Sequence, residues 1–210
     1  MASGLRPPPT GRLCGALEPI ADLASVRELI ERTSELARCY AIWWELVNRE
    51  NLDRYEAQIR NHEDYFAATA HSLFQSFVVI SYQLFETRKD TKSIPALIES
   101  MKDSHPDLMR ALTANIESNM PVLGKLFALR NKVYAHRSRI QSPEEIFAET
   151  GLTSDEMKGA VDFIRSVMSS LAEAAGEISS VELEEEFELR TMCSREDTQL
   201  ILQALEKHGL

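Results

Sequence analysis

The sequence predicts an all-α protein, an up-and-down helical bundle with a small C-terminal appendage. Glycine is rare, with 8 in 210 residues. Apolar residues recur three or four positions apart over long stretches, whereas the alternation typical of strands is scarce. Hydrophobic residues make up 44% of the chain and charged residues 27%, as in ordinary globular proteins. The sequence contains no run of eighteen apolar residues, so it predicts no membrane-spanning helix.

The first half of the chain predicts two long amphipathic helices. One extends from about Leu23 to Val47, and the other from about Leu52 to Glu86. We interpret the neighbouring Trp43 and Trp44 as core or dimer packing in preference to a base-stacking platform. The apolar faces comprise Leu29, Leu36, Tyr40, Trp43 and Trp44 in the first helix, and Tyr55, Ile59, Phe66, Leu73, Phe77, Ile80 and Leu84 in the second.

Shorter helices follow, each marked by a capping residue or a proline. Ser93 caps the helix IPALIESM, and another helix extends from about Pro106 to Glu117. We expect Pro121 to break or restart the chain before a helix that carries the segment RNKVYAH, residues 130–136.

The last third predicts two more helices and an ambiguous tail. A brief helix begins at Ser142 and Pro143 and ends at Gly151, and Thr153 or Ser154 caps one that extends to about Gly176. The segment VELEEEFELR fits either a strand or the flank of a helix, and TQLILQALEK fits a last helix. We therefore divide the chain into a flexible leader (1–20), a helical bundle (21–177) and an acidic appendage (178–210).

Charge is distributed unevenly along the chain, whose formal net charge is −10. Residues 1–143 contain 18 Lys/Arg and 17 Asp/Glu, whereas residues 144–210 contain 5 and 16. The acidic tail is either a solvated helix face or a segment that competes with RNA or docks a partner. A stretch without acids, residues 118–143, either binds phosphate as a local basic patch or is a chance lull. Its basic residues are Lys125, Arg130, Lys132, Arg137 and Arg139.

Cysteine and histidine usage argues against a metal or disulfide framework. The three cysteines are far apart and form no C-x-x-C pair, which is typical of a reducing cytoplasm. In the stretch HEDYFAATAH only Asp64 and His71 share a helix face, and two ligands make a weak site. We therefore expect no metal, no cofactor and a cytoplasmic location.

Arg130 lies on the apolar stripe of its predicted helix, where an unpaired arginine is rarely buried. At 3.6 residues per turn, Arg130 and His136 project about 120° apart, and the long arginine side chain lets both reach one anion. A phosphodiester suits this arrangement. The guanidinium binds its oxygens, the Asn131 amide orients it, and the imidazole transfers protons near neutral pH.

Cleavage of RNA by its own 2′-hydroxyl requires both a base and an acid. One histidine cannot easily serve as both in a single step. A two-fold homodimer that places two motifs face to face supplies both, together with two arginines for the developing charge. A dimer interface also explains why an arginine lies on an apolar stripe.

The segment RNKVYAH resembles the signature of the HEPN superfamily, in which an arginine and a polar residue precede a histidine by a short gap. The upstream stretch YFAATAHSLFQSFVVISYQLFE, followed by KDTKSIPAL, resembles the abortive-infection U-type branch of these domains. The resemblance spans roughly residues 40–140. It implies a dimeric helical bundle that in many members is a metal-independent ribonuclease toxin, and we expect an antitoxin or other inhibitory protein to hold it in check.

Roles follow from the resemblance by position. It makes Arg130 the phosphate-stabilising residue, Asn131 its polar supporter and His136 the catalytic acid and base. Glu86, at the end of the upstream helix, is given a minor orienting role. The residues expected to contact RNA are Lys132, Arg137 and Arg139.

Two departures from the family pattern bear on regulation. Ser138 stands where relatives often carry aspartate, and His136-Arg137-Ser138 lacks the tyrosine through which some members are silenced by adenylylation. The alternative function is a non-catalytic helical module that binds RNA or a partner protein, with the motif serving dimer structure. Catalysis requires a solvent-accessible His136, whereas such a module would bury it in the neutral form.

Overall fold

The computed structural model describes residues 22–88, 90–135 and 143–209. The leader predicted over residues 1–20 lies outside these ranges, as do His136, Arg137, Ser138 and Arg139. Every regular element in the described ranges is a helix, which confirms the predicted all-α class. None of these helices combines the length and apolar character that crossing a membrane requires.

Nine α-helices and one π-helix make up the described chain. The bounds of α1, and those of α5, α7 and α8 within a few residues, agree with the sequence predictions. The elements are α1 Leu23–Val47, α2 Arg49–Arg54, α3 Glu56–Asn61, α4 Glu63–Leu84, α5 Ile94–Met101, α6 Pro106–Leu129, the π-helix Arg130–Ala135, α7 Pro143–Thr150, α8 Ser154–Ala174 and α9 Ser180–His208.

Helix α1 is the centre of the bundle, since it contacts α4, α5, α8 and α9. Its residues Val26 and Leu36 are fully buried, as are Leu84 of α4, Leu126 of α6 and Ile164 of α8. Burial of each such side chain contributes about 1.5–3 kcal/mol. These contacts form one main core, and they hold α4 and α6 side by side where the RNKVYAH segment begins.

The single long helix predicted from Leu52 to Glu86 is wrong. The backbone leaves the helical region at Tyr55 (φ −108°, ψ 25°) and at His62 (φ −126°, ψ 36°), which separates α2, α3 and α4. Tyr55 is fully buried in a second, smaller cluster with Leu46, Phe66 and Leu202. Burial of this large ring offsets the helical hydrogen bonds lost at the turn.

The predicted end of a helix at Glu117 is also wrong, because α6 continues through Pro121 to Leu129. A proline inside a helix costs about 3 kcal/mol. Pro121 is exposed, whereas the three leucines that follow it in α6 are completely buried. Their burial is worth about 1.5–3 kcal/mol each, so tertiary packing outweighs the proline. The three are Leu123, Leu126 and Leu129.

The tail is one 29-residue helix, so the strand alternative for VELEEEFELR and the separate last helix are wrong. Ser179 and Glu182 form a capping box at its start. The guanidinium of Arg165 in α8, whose side chain is 10% exposed, binds the carboxylates of Glu184 at 3.2 Å and Glu188 at 3.1 Å. The domain boundary at residue 177 and competition of the tail with RNA stay predictions, although two acids of the tail are engaged within the bundle.

Candidate functional site

The RNKVYAH segment leaves the α-helical path at its first residue. Helix α6 ends at Leu129, and residues 130–135 form a π-helix that packs against α4, α6 and α7. A π-helix pairs each residue with the one five positions away, is rare, and often occurs at functional sites. The angle of about 120° expected between Arg130 and His136 was derived for an α-helix, and it stays a prediction because His136 lies outside the described residues. Val133 and Tyr134 pack against the core, whereas Asn131 is exposed.

Arg130 is held by a ring and an amide. Its guanidinium carbon lies 4.1 Å from the centroid of the Tyr82 ring in α4, within the range of a cation–π interaction. Its Nη1 donates a hydrogen bond of 2.9 Å to Oδ1 of Asn131. No ion pair among the described residues involves Arg130. The groups that orient Arg130 are neutral. The hydrogen bond to Asn131 uses one of the five N–H donors of the guanidinium, so the others remain for an external anion.

The other cations of the predicted basic patch are paired where the structure describes them. The Lys125 ammonium lies 2.6 Å from the carboxylate of Glu156, and that of Lys132 lies 3.3 Å from Glu149. The Lys132 pair is about half exposed, and exposed pairs of this kind are worth about 0–1 kcal/mol, so a phosphate can displace the carboxylate. Within the described part of the patch, the charge available to an anion is concentrated at Arg130.

No hydrogen bond or ion pair among the described residues joins Glu86 to Arg130. Its carboxylate, 16% exposed, lies 3.9 Å from Nε of Arg88. It lines a polar pocket of about 370 Å³ with Glu28 and Lys92, among others. Tyr82, which lies within α4 four residues before Glu86, instead contacts Arg130. The sequence prediction missed Tyr82, although a spacing of four residues places it on the same face as Glu86 in the helix predicted to end at that residue.

The C-terminal end of the π-helix borders an aromatic pocket. The Tyr134 ring meets His71 edge-on, with centroids 6.1 Å apart. The Tyr134 hydroxyl is buried and has no hydrogen-bond partner among the described residues. Burial raises the pKa of Tyr134 to about 12, so the hydroxyl stays protonated at physiological pH. Tyr134 lies inside the motif, yet the sequence analysis assigned it no role.

The structure thus brings together Arg130 and Asn131 and places Lys132 beside them. His136, Arg137 and Arg139 lie outside the described residues. Across the described ranges, no group of three His, Cys, Asp or Glu side chains is placed to hold a metal ion. The described arrangement presents an oriented guanidinium next to a pocket of rings, and such a group is chemically able to bind an anion.

Comparison with known families gives one match. The model of the family AbiU2, a HEPN family, matches residues 21–192, from just before α1 into α9. No curated protein and no solved structure matched the chain. The match includes Arg130 and Asn131 and extends well beyond the region of residues 40–140 on which the sequence resemblance depended. The chain therefore belongs to the AbiU2 family of abortive-infection HEPN domains.

Proposed function

We propose that this protein is a metal-independent endoribonuclease that cleaves RNA at a composite site in a homodimer. It would act as a toxin or phage-defence effector. The observation that carries the proposal is the orientation of Arg130 by the Tyr82 ring and the Asn131 amide, without a carboxylate partner among the described residues. A guanidinium held in this way is suited to a phosphate whose charge increases during reaction.

The proposed reaction is attack of a ribose 2′-oxygen on the adjacent phosphorus. The 2′-O–P bond forms and the P–O5′ bond breaks, which leaves a 2′,3′-cyclic phosphate and a 5′-hydroxyl. One His136 imidazole accepts the 2′-proton, and the imidazolium of the partner protomer's motif donates a proton to the leaving oxygen. Arg130 stabilises the negative charge on the non-bridging oxygens, and Asn131 keeps the guanidinium in place.

The proposed partners follow from this chemistry. A second copy of the chain supplies the second histidine, and Lys132, Arg137 and Arg139 contact neighbouring phosphates. An antitoxin or other inhibitory protein would restrain the activity in the cytoplasm, where the RNA substrate is found. Analytical ultracentrifugation tests whether the chain forms a dimer. We expect the rate of cleavage per chain to fall when the protein is diluted below the dissociation constant of the dimer.

The decisive experiment incubates the full chain with total cellular RNA in EDTA. The wild type should cleave and leave 2′,3′-cyclic ends, whereas Arg130→Ala and His136→Ala should be slower by about 100-fold or more. Lys158→Ala is the matched control, because Lys158 is an exposed cation of α8 that pairs only with Asp162 among the described residues. It should cleave like the wild type.

Two other results would contradict the proposal. Equal cleavage by all four proteins would indicate a contaminant or a different site. Intact RNA with every protein, including after any copurifying inhibitor is removed in urea and the chain is refolded, would favour the non-catalytic binding module.

A further inference from the structure

A pocket of about 360 Å³ opens between α1, α4 and the π-helix on one side and the α7–α8 region on the other. Its walls are largely rings. The Phe74 ring lies at the centre, with its centroid 5.6 Å from that of Trp43 and 5.4 Å from that of Phe147. These three side chains are half-buried, so their faces are neither solvated nor closed into the core. A cavity of this size is in the range that binds small ligands.

Two side chains with polar groups line this aromatic pocket. Tyr134 and His71 both line it, and His71 is exposed. The buried Tyr134 hydroxyl lacks a partner among the described residues, and such a group costs about 1–3 kcal/mol when nothing bonds to it. The hydroxyl is closed to solvent, so a ligand with a polar edge would supply the missing hydrogen bond once the Tyr134 ring turned toward the pocket. An aliphatic ligand would leave the hydroxyl unsatisfied.

The pocket and the guanidinium share two structural elements. Arg130 and Tyr134 are four residues apart in one π-helix, so their backbones are separated by roughly 6 Å. Their contacts on α4, Tyr82 and His71, are eleven residues apart, or about 16 Å at 1.5 Å per residue. In a stacked strand the phosphates are roughly 3.4 Å apart. About two nucleotides therefore cover the shorter distance, and about five cover the longer one.

We propose that the aromatic pocket binds one unstacked nucleobase of single-stranded RNA while Arg130 holds a phosphate a few nucleotides away. Phe74, Trp43 and Phe147 would contact the faces of the base, and Tyr134 and His71 would bond its polar edge. The pocket then selects which sequences reach the cleavage site. This inference rests on the proposed action on RNA, and it names the part of the substrate that is recognised.

The chemistry of the walls favours a base over other occupants. Proteins recognise single-stranded RNA by stacking splayed bases on aromatic side chains and bonding their edges. Each stacked base contributes appreciably to binding, and every base has a π-face. The pocket also lies close to Arg130, which has no carboxylate partner among the described residues. This arginine can bind the phosphate that accompanies each base.

Tryptophan fluorescence tests the proposal without any cleavage. The chain has two tryptophans, so Trp44→Phe leaves Trp43 as the reporter at the pocket. The probes are a DNA hexamer of mixed sequence, which lacks the 2′-hydroxyl, and an abasic hexamer with the same phosphates. Saturable quenching of Trp43 by the first and none by the second is expected.

Variants then locate the binding. Phe147→Leu in the same background should weaken binding of the hexamer by roughly 5- to 150-fold, the range for loss of one stacking ring. Tyr134→Phe keeps the ring and should change the order of affinity among AMP, CMP, GMP and UMP. Tyr65→Leu removes an exposed ring of α4 that does not line the pocket, and it should leave binding unchanged. Thermal melting confirms that each variant is folded.

The outcomes separate this inference from the proposed function. Base-dependent quenching without RNA cleavage would support the pocket and remove only the catalytic role. Cleavage that depends on Arg130, combined with equal binding of the two hexamers or with unchanged Trp43 fluorescence, would overturn the pocket and retain the ribonuclease.

Discussion

Replacement of Tyr82 tests whether the ring beneath Arg130 orients it for catalysis. The guanidinium carbon lies 4.1 Å from the ring centroid, and both side chains are half-buried, so we take about 1 kcal/mol for the cation–π interaction. If that energy holds Arg130 in its reactive position, Tyr82→Leu should lower kcat/KM for RNA about fivefold. Tyr82→Phe keeps an aromatic face and should remain within about twofold of the wild type.

Two measurements keep this prediction independent of packing. The Tyr82 ring also meets Phe127 edge-on at 5.5 Å, so Phe127→Leu is the matched control that removes this contact but not the one to Arg130. In a ¹⁵N-correlated NMR spectrum, the Arg130 Nε–H signal should carry a ring-current shift that Tyr82→Leu abolishes and Phe127→Leu retains. An unchanged shift and an unchanged rate in Tyr82→Leu would refute the reasoning.

Three further predictions concern stability and reactivity. Tyr134→Phe should raise the free energy of unfolding by up to about 1 kcal/mol in urea titrations, because it removes a buried hydroxyl without a partner among the described residues. Since burial raises the pKa of Tyr134 to about 12 from about 10 when unfolded, wild-type stability should fall as pH rises through that window, and the variant should fall less. Burial also raises the pKa of Cys39 to about 11, so at pH 8 a thiol reagent followed by peptide mass spectrometry should label exposed Cys193 well before Cys39. Arg165→Met should lower the free energy of unfolding by about 1–3 kcal/mol, because it removes the ion pairs with Glu184 and Glu188 of α9. The control Lys158→Ala should change it by less than about 0.5 kcal/mol. Equal effects of the two substitutions would contradict a stabilising role for the Arg165 contacts.

Local chemistry made several elements predictable from the sequence. Ser93 and Thr153 cap their helices as expected, since each hydroxyl accepts a hydrogen bond from a backbone N–H three residues on. The same local rules failed where distant packing was decisive. Pro121 is tolerated because the leucines after it are buried, and the turn at Tyr55 depends on a cluster that includes Leu202 from the far end of the chain.

The motif was visible in the sequence, but its surroundings were not. By resemblance, the spacing of Arg130 and Asn131 within RNKVYAH predicted a phosphate site, which stays a prediction. The π-helix was not predictable, because α- and π-helical turns place the same apolar residues at similar positions and tertiary contacts select between them. Tyr82 was not assigned because its partner lies 48 positions along the chain.

The π-helix also has a consequence for how such a protein can change over evolutionary time. Each of its turns holds one residue more than an α-turn, so deletion of one codon between positions 131 and 133 would restore the α-register. Because the lost residue is the extra one of the π-turn, residues on both sides of the deletion would keep roughly their directions. Arg130 would stay on Tyr82, and Tyr134 would stay on the wall of the pocket. One small genetic step could therefore remove the π-helix and leave both contacts with α4 in place.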